Sequence, residues 1–357
     1  MRAFGLLALV LAGTAVNAIN SCVDPDSDDY RCQAGETTIN ISQCGLTEDD
    51  LGDMAACFDN TGRETVTMLL LSGNEFYTFP EDLFQGFGAL EFLGIWENGL
   101  ADLPSGIFQG LVQLEHLAIS NNGMPTPGFT TLDIELFSGL ENLEYLGLSG
   151  NSITTLPVGI FGDLVSLQWL DLGFNELTSV DAGLFDGLVS LTRLRLSSNN
   201  AITTLPPGIF DDLGQLEYLI ISSLSLTSLD SGVFDKLEYL TELNLARNSL
   251  TLQADIFDGL TNLADLWLDG NDFTTLPAGL FDDLVNLEFL SILNNDDLQC
   301  LPSIPECDDC DLALQSDVDE DGVCECPVYG ACSGCQPGVD GYACDDDMSF
   351  SYVYIEW

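Results

Sequence analysis

A phenylalanine returns about once every 24 residues along most of this chain, at Phe84, Phe108, Phe137, Phe161, Phe185, Phe210, Phe234, Phe257 and Phe281, each with an apolar residue three positions later. Between them runs a second pattern, Leu-x-x-Leu-x-Leu-x-x-Asn, as in Leu143, Leu146, Leu148 and Asn151 and again in Leu167, Leu170, Leu172 and Asn175. Aligned on that pattern, ten copies begin at Val66, Leu90, Leu114, Leu143, Leu167, Leu191, Leu216, Leu240, Leu263 and Leu287. Their spacings are 24, 24, 29, 24, 24, 25, 24, 23 and 24, so the register survives small insertions. That is the behaviour of a stack of units in which each contacts only its neighbours.

The fuller consensus, Leu-x-x-Leu-x-Leu-x-x-Asn-x-Leu-x-x-Leu-Pro-x-x-x-Phe-x-x-Leu, closely resembles the repeats of extracellular leucine-rich-repeat proteins such as Toll-like receptor ectodomains, small matrix proteoglycans and variable lymphocyte receptors. The resemblance implies an α/β solenoid: a horseshoe with a concave parallel β-sheet, an irregular convex side and disulfide-rich terminal caps. Each repeat should supply one short strand, its leucines pointing inward and the residues between them facing solvent. With strands ~4.8 Å apart, ten of them make a curved surface on the order of 45 to 50 Å long, enough to hold a protein or polymer. The family's repeated asparagine bonds the backbone of adjacent turns, and Asn74, Asn98, Asn122, Asn151, Asn175, Asn199, Asn248, Asn271 and Asn295 match it. The seventh repeat carries Leu224 there, which predicts a locally altered turn. The phenylalanine column should form a buried convex spine.

Residues 1–18 read as a secretory signal peptide: Arg2, an apolar run from Gly5 to Val16, and small Ala18 before the cut. No later stretch approaches the ~20 apolar residues that a membrane span needs, so the expectation is a secreted, extracellular protein. Residues 19–65 hold Cys22, Cys32, Cys44 and Cys57, residues 66–299 hold the ten repeats and no cysteine, and residues 300–357 hold Cys300, Cys307, Cys310, Cys324, Cys326, Cys332, Cys335 and Cys344. A solenoid exposes its core at both ends, and both clusters read as disulfide-rich caps over it. The pairing stays open.

Two Cys-x-x-Cys motifs in the second cap have zinc-ligand spacing, but an oxidising compartment consumes such thiolates as disulfides. In the same segment Asp317-x-Asp319-x-Asp321-Gly322 opens like a calcium loop, then places Val328 where an EF-hand needs glutamate. Calcium at Asp317, Asp319 and Asp321 and a solvated acidic linker stand side by side as readings, and no cofactor is required. Asn40-Ile41-Ser42 is a glycosylation sequon, with Asn40 as acceptor. The five-residue expansion between the third and fourth repeats, around Gly123 to Phe129, reads as a loop.

The chain carries 58 acidic residues against seven basic ones, a formal charge of -51, which repels a phosphate backbone and argues against nucleic acid as partner. Arg193, Arg195 and Arg247 lie in predicted sheet segments. Arg193 holds the third position of its repeat, a column otherwise of Phe92, His116, Tyr145, Trp169, Tyr218, Glu242, Asp265 and Phe289. Arg195 and Trp267 hold the fifth position of their repeats and Trp96 the seventh, all on the concave face. Rings with a few arginines are the composition of recognition hot spots. The structural alternative is a cross-strand ion pair from Arg195 to Asp171 and stacking of Arg193 between Trp169 and Tyr218. The ligand-binding candidates are Trp96, Tyr145, Trp169, Arg193, Arg195, Tyr218 and Trp267.

A single histidine, His116, and the absence of any nucleophile or phosphate-loop constellation argue against an enzyme. The leading expectation is a secreted recognition protein that binds an extracellular protein or surface glycan. The alternative is a matrix protein whose acidic surface meets calcium or mineral.

Overall fold

The computed structural model describes residues 35, 37–123, 128–295 and 298, together with the backbone at 311–313. Outside them lie the segment read as a signal peptide, Cys22, Cys32, Cys300, Cys307, Cys310, Cys324, Cys326, Cys332, Cys335 and Cys344, the acidic triplet Asp317, Asp319 and Asp321, and residues 124–127 of the expansion.

The ten repeats give ten three-residue strands: β2 (Met68–Leu70), β3 (Phe92–Gly94), β4 (His116–Ala118), β5 (Tyr145–Gly147), β6 (Trp169–Asp171), β7 (Arg193–Arg195), β8 (Tyr218–Ile220), β9 (Glu242–Asn244), β10 (Asp265–Trp267) and β11 (Phe289–Ser291). Two more extend the sheet, β1 (Thr38–Asn40) before the repeats and β12 (Asp311–Ala313) after them. All twelve are parallel and follow chain order from β1 to β12. From β1 to β11 the middle residue is an inward leucine or isoleucine, and the backbone pairing keeps one register across the whole sheet, from Ile39↔Leu69 to Leu290↔Leu312. The sheet thus continues into both flanking segments, so the repeat boundaries at 66 and 299 are not the edges of the stack.

Inside the coil the leucine rows form one continuous core. Its convex wall is the phenylalanine spine, whose rings stack 6.2–6.5 Å apart and within 17° of parallel, in one series from Phe84 to Phe161 and another from Phe185 to Phe281. Between sheet and spine the asparagines lock one coil to the next. Asn175 Nδ2 donates to Leu172 O and to Leu148 O of the preceding repeat, both at 3.0 Å, while its Oδ1 accepts from Ile153 N. These bonds serve backbone groups that the bend would otherwise bury unpaired.

Ahead of every ladder position stands a residue with left-handed backbone: Gly73, Glu97, Asn121, Gly150, Phe174, Ser198, Ser223, Arg247, Gly270 and Asn294. The seventh repeat keeps this turn, with Ser223 at φ 51°, while Leu224 is sunk in the core. The alteration falls one coil earlier: with leucine in place of the acceptor, Ile202 N donates to Asn199 O at 3.1 Å, through a turn at Asn200 and Ala201. Arg247, placed in the sheet by its sequence position, lies in the turn column, three residues past the end of β9.

The N-terminal cap adds a helix, α1 (Leu51–Thr61), which buries Met54, Cys57 and Phe58 against the first coil. Thr47 and Asp50 form a capping box just ahead of it, and left-handed Gly62 ends it. Arg63 clamps cap to repeat: its guanidinium lies 5.6 and 5.5 Å from the Phe58 and Phe87 rings and donates to Leu83 O and Gln85 O. Cys44, which takes the ladder position of this first coil, and Cys57 are each disulfide-bonded. Just past the expansion, Phe129 is buried in the core.

Candidate functional site

The outward residues of the strands line the concave face in columns, and the first residue of each strand is the column read as aromatic from the sequence. Along it run Phe92, His116, Tyr145, Trp169, Arg193, Tyr218, Glu242, Asp265 and Phe289, one per strand from β3 to β11. The expectation that these residues face solvent fails over the first half. Leu70, Phe92, Ala118 and Tyr145 are buried together, with Met68, Trp96 and Trp169 packed on them. Tyr145, named as a ligand-contacting ring, is 7% exposed and meets Trp169 edge-on at 5.1 Å.

Two glycines in the next column permit this closure. A Cβ on Gly94 would come within 2.1 Å of the Trp96 ring, and one on Gly147 within 2.6 Å of the Tyr145 hydroxyl. Both rings therefore lie down over the glycine two residues away on their own stretch of chain, where any side chain would hold them off. Burial, with help from Asp171, pushes the Tyr145 phenol well above its ordinary range. His116 stands edge-on between Phe92 and Tyr145, and burial lowers its pKa against the opposing pull of Glu115.

The apolar floor ends at Trp169, and there the character changes. Arg193 lies between two rings, its Cζ 5.6 Å from Trp169 and 4.2 Å from Tyr218. All three are half-buried. Two residues further along β7, Arg195 Nη1 lies 3.7 Å from Asp171 Oδ2 and Nε donates to Ser197 Oγ at 2.8 Å. Asp171 also accepts from Gly173 N. Burial raises its pKa, while Arg195, Gly173 and a hydrogen bond with Ser149 oppose that shift. Both cross-strand contacts anticipated as structural are therefore made, and Trp169, Arg193, Arg195 and Tyr218 form one cluster over three strands.

Trp96 and Trp267 stay apart from it. Trp96 belongs to the apolar floor, and Trp267 packs on Phe289 at 5.4 Å, three strands beyond Arg195. The intervening column is acidic. Glu242 is pushed up by burial and then by Asp265, with Arg193 opposing; Asp265 is pushed up by burial and then by Glu288. One contributor escaped the column reading. Phe174, in the turn just past β6, is 54% exposed at φ 52°, and the Arg195 guanidinium lies 4.9 Å from its ring centroid.

Asn40, the sequon residue, is half-buried as the last residue of β1, where its Oδ1 accepts from Ser42 N. Among the described residues no group of three or more His, Cys, Asp or Glu is disposed to hold a metal, and no helix is long and apolar enough to cross a membrane.

Residues 90–273, just over half of the chain, match the family described as Leucine rich repeat in six overlapping windows. Among solved structures, the chain in a TLR13–ssRNA13 complex is 25% identical at a TM-score of 0.59, with 72% of this chain and 39% of that one covered. The Drosophila Toll–Spatzle complex gives 26% identity and a TM-score of 0.60, covering 67% and 31%. An assembly of Latrophilin 3, Unc5D and FLRT2 matches at 23% identity, a TM-score of 0.54 and coverage of 72% and 75%, and shows the fold alone. The present chain thus spans well under half of the TLR13 and Toll–Spatzle chains it matches. No curated protein matches it.

Proposed function

The chain belongs to the leucine-rich-repeat family, and from that premise we propose that it is a secreted, non-catalytic recognition module that holds an extracellular protein or glycan on its concave face, centred on Trp169, Arg193 and Tyr218. The observation that carries this reading is the change of surface at Trp169. Before it the floor is sealed by its own rings, and after it scarce arginines and half-buried rings are offered together. A half-buried cation–π contact stabilises a fold by only about 0.5–2 kcal/mol, a modest structural reason for placing arginine here. The same groups give large contact areas at low entropic cost in an interface.

Disulfide-bonded Cys44 and Cys57 support an extracellular address, since such bonds persist outside the reducing cytosol. One solved relative carries single-stranded RNA and another carries Spatzle. The charge of -51 weighs against a polyanion and for the protein or glycan. The reading needs no cofactor.

The test is affinity capture from the producing organism's extracellular fraction, using wild type beside a Trp169→Ala, Arg193→Ala double variant at matched salt and calcium. A partner held by wild type and released by the variant is the expected result. Equal recovery by both, or calcium-dependent self-association alone, sinks the recognition reading in favour of a matrix role.

A further inference from the structure

Phe174 breaks the logic of its own column. The turn position it occupies takes left-handed backbone in every repeat, and elsewhere it is filled by glycine, asparagine, serine, glutamate or arginine. An L-residue with a bulky ring is disfavoured there, at a cost of about 1–2 kcal/mol. The ring gains little core burial in return, because more than half of it is exposed. A strained aromatic left more than half exposed is the kind of outlier from which function is inferred.

Its surroundings make it part of a larger surface. Arg195 stands over the Phe174 ring and reaches back to Asp171, while Arg193 lies between Trp169 and Tyr218. A band of planar groups therefore crosses the sheet from the first strand residue to the turn beyond the last. We infer that Phe174 is a second anchor of the binding surface, outside the concave columns, and that the partner is a basic protein which seats an apolar or aromatic side chain against Phe174 and Arg195.

Two observations select that partner, and the inference rests on the concave face being a recognition surface. The acceptors beside the ring are already engaged, with Asp171 accepting from Gly173 N and ion-paired to Arg195, and Ser197 Oγ accepting from Arg195 Nε. A sugar needs hydrogen-bonding groups beside the ring it stacks on, whereas an apolar side chain needs only the ring faces. The net charge of -51 steers a cationic protein toward the molecule and slows an acidic one, and Glu242 and Asp265 on the strands after Tyr218 offer its basic groups partners beside the site.

The probes are a lysine-glycine peptide carrying one central phenylalanine, the same peptide with alanine in its place, and a neutral cellooligosaccharide. Binding is read by titration against wild type, Phe174→Asn and the Trp169→Ala, Arg193→Ala variant, alongside thermal melts. Asparagine fills the same turn position at Asn121 and Asn294, so Phe174→Asn should melt at or above the wild-type temperature. Wild type should prefer the phenylalanine peptide by about tenfold, the scale of one seated aromatic side chain. In Phe174→Asn that preference should disappear while salt-sensitive binding of both peptides remains.

Retention of the preference by Phe174→Asn, or a marked fall in its melting temperature, overturns the inference and leaves the concave reading standing. Unchanged binding by the double variant overturns the concave reading itself. Binding of the cellooligosaccharide that depends on Phe174 overturns the assignment of a basic protein as partner.

Discussion

Asp171 and Arg195 face each other at paired positions of β6 and β7, with the aspartate side chain only 9% exposed and the guanidinium 3.7 Å away. The pair ties two coils together in the middle of the candidate surface, and removal of one partner strands the other. Arg195→Ala should therefore destabilise the fold by about 1–3 kcal/mol, a range reduced because the arginine is partly exposed. Adding Asp171→Asn should restore much of that loss. Chemical denaturation of the two variants checks it, and equal stability of the single and double variants would show that the carboxylate is not stranded.

The pH dependence should run opposite to ordinary acid denaturation. Asp171, Glu242 and Asp265 all have folded pKa values raised above their usual range, chiefly by burial. Between the unfolded and folded values the folded state holds more protons, so stability falls as pH rises through that window. The melting temperature should climb as pH falls from neutral through the folded values toward the ordinary carboxylate range, and sodium chloride should raise it at neutral pH by screening the charge of -51. A melting temperature indifferent to both would count against dominant carboxylate repulsion.

His116 contributes the other sign. Its folded pKa is lowered by burial, so it favours the fold above its unfolded value of about 6.5 and withdraws that support as pH falls through the folded value. His116→Phe removes the titrating group from a position already flanked by rings. The variant should gain more in melting temperature than wild type between about pH 7 and about pH 5.

Gly94→Ala should lift the Trp96 ring from the floor, since the new Cβ and the ring cannot share the space. The expected cost is about 1–3 kcal/mol from overpacking, with a red shift in tryptophan emission as the indole meets water. An unshifted spectrum would mean that the ring accommodates the methyl without leaving the floor.

Asn199 is wholly buried, donates to Leu172 O and Leu196 O and accepts from Leu177 N. Asn199→Ala should lose about 2–4 kcal/mol by leaving those backbone groups unpaired. Leu224→Asn, which restores the consensus, should also lose stability, because Ile202 N is already served by Asn199 O and the core loses an aliphatic side chain. A stabilised Leu224→Asn would show that the ladder, and not the apolar contact, governs this coil.

Much of the architecture was legible because each coil solves the same problem with the same residues. The inward leucines, the asparagine ladder and the phenylalanine spine fall where their periods place them. The coil formed by the cap was hidden, since Ile39-x-Ile41-x-x-Cys44 keeps the offsets but exchanges leucine for isoleucine and asparagine for cysteine. Helix α1 and the Arg63 clamp were missed because they depend on the join between cap and first repeat, which no period describes.

At the surface, alternation indicated which way side chains leave the sheet but not whether they then fold over. The signal was present in Gly94-x-Trp96 and Tyr145-x-Gly147, where a ring stands two residues from a glycine on the same face. Phe174 escaped because it stands in a turn column, where only its contrast with the small and polar residues of the other repeats marks it.

Every strand of this sheet pairs only with the strands before and after it in the chain. Among the described residues the sheet therefore has no clasp between distant strands, and it behaves mechanically as a coil spring that yields one turn at a time. A partner seated across Trp169, Arg193 and Tyr218 would grip three successive turns and act as a splint. Pulled by its ends, the bound molecule would then surrender its outer coils first and its middle last.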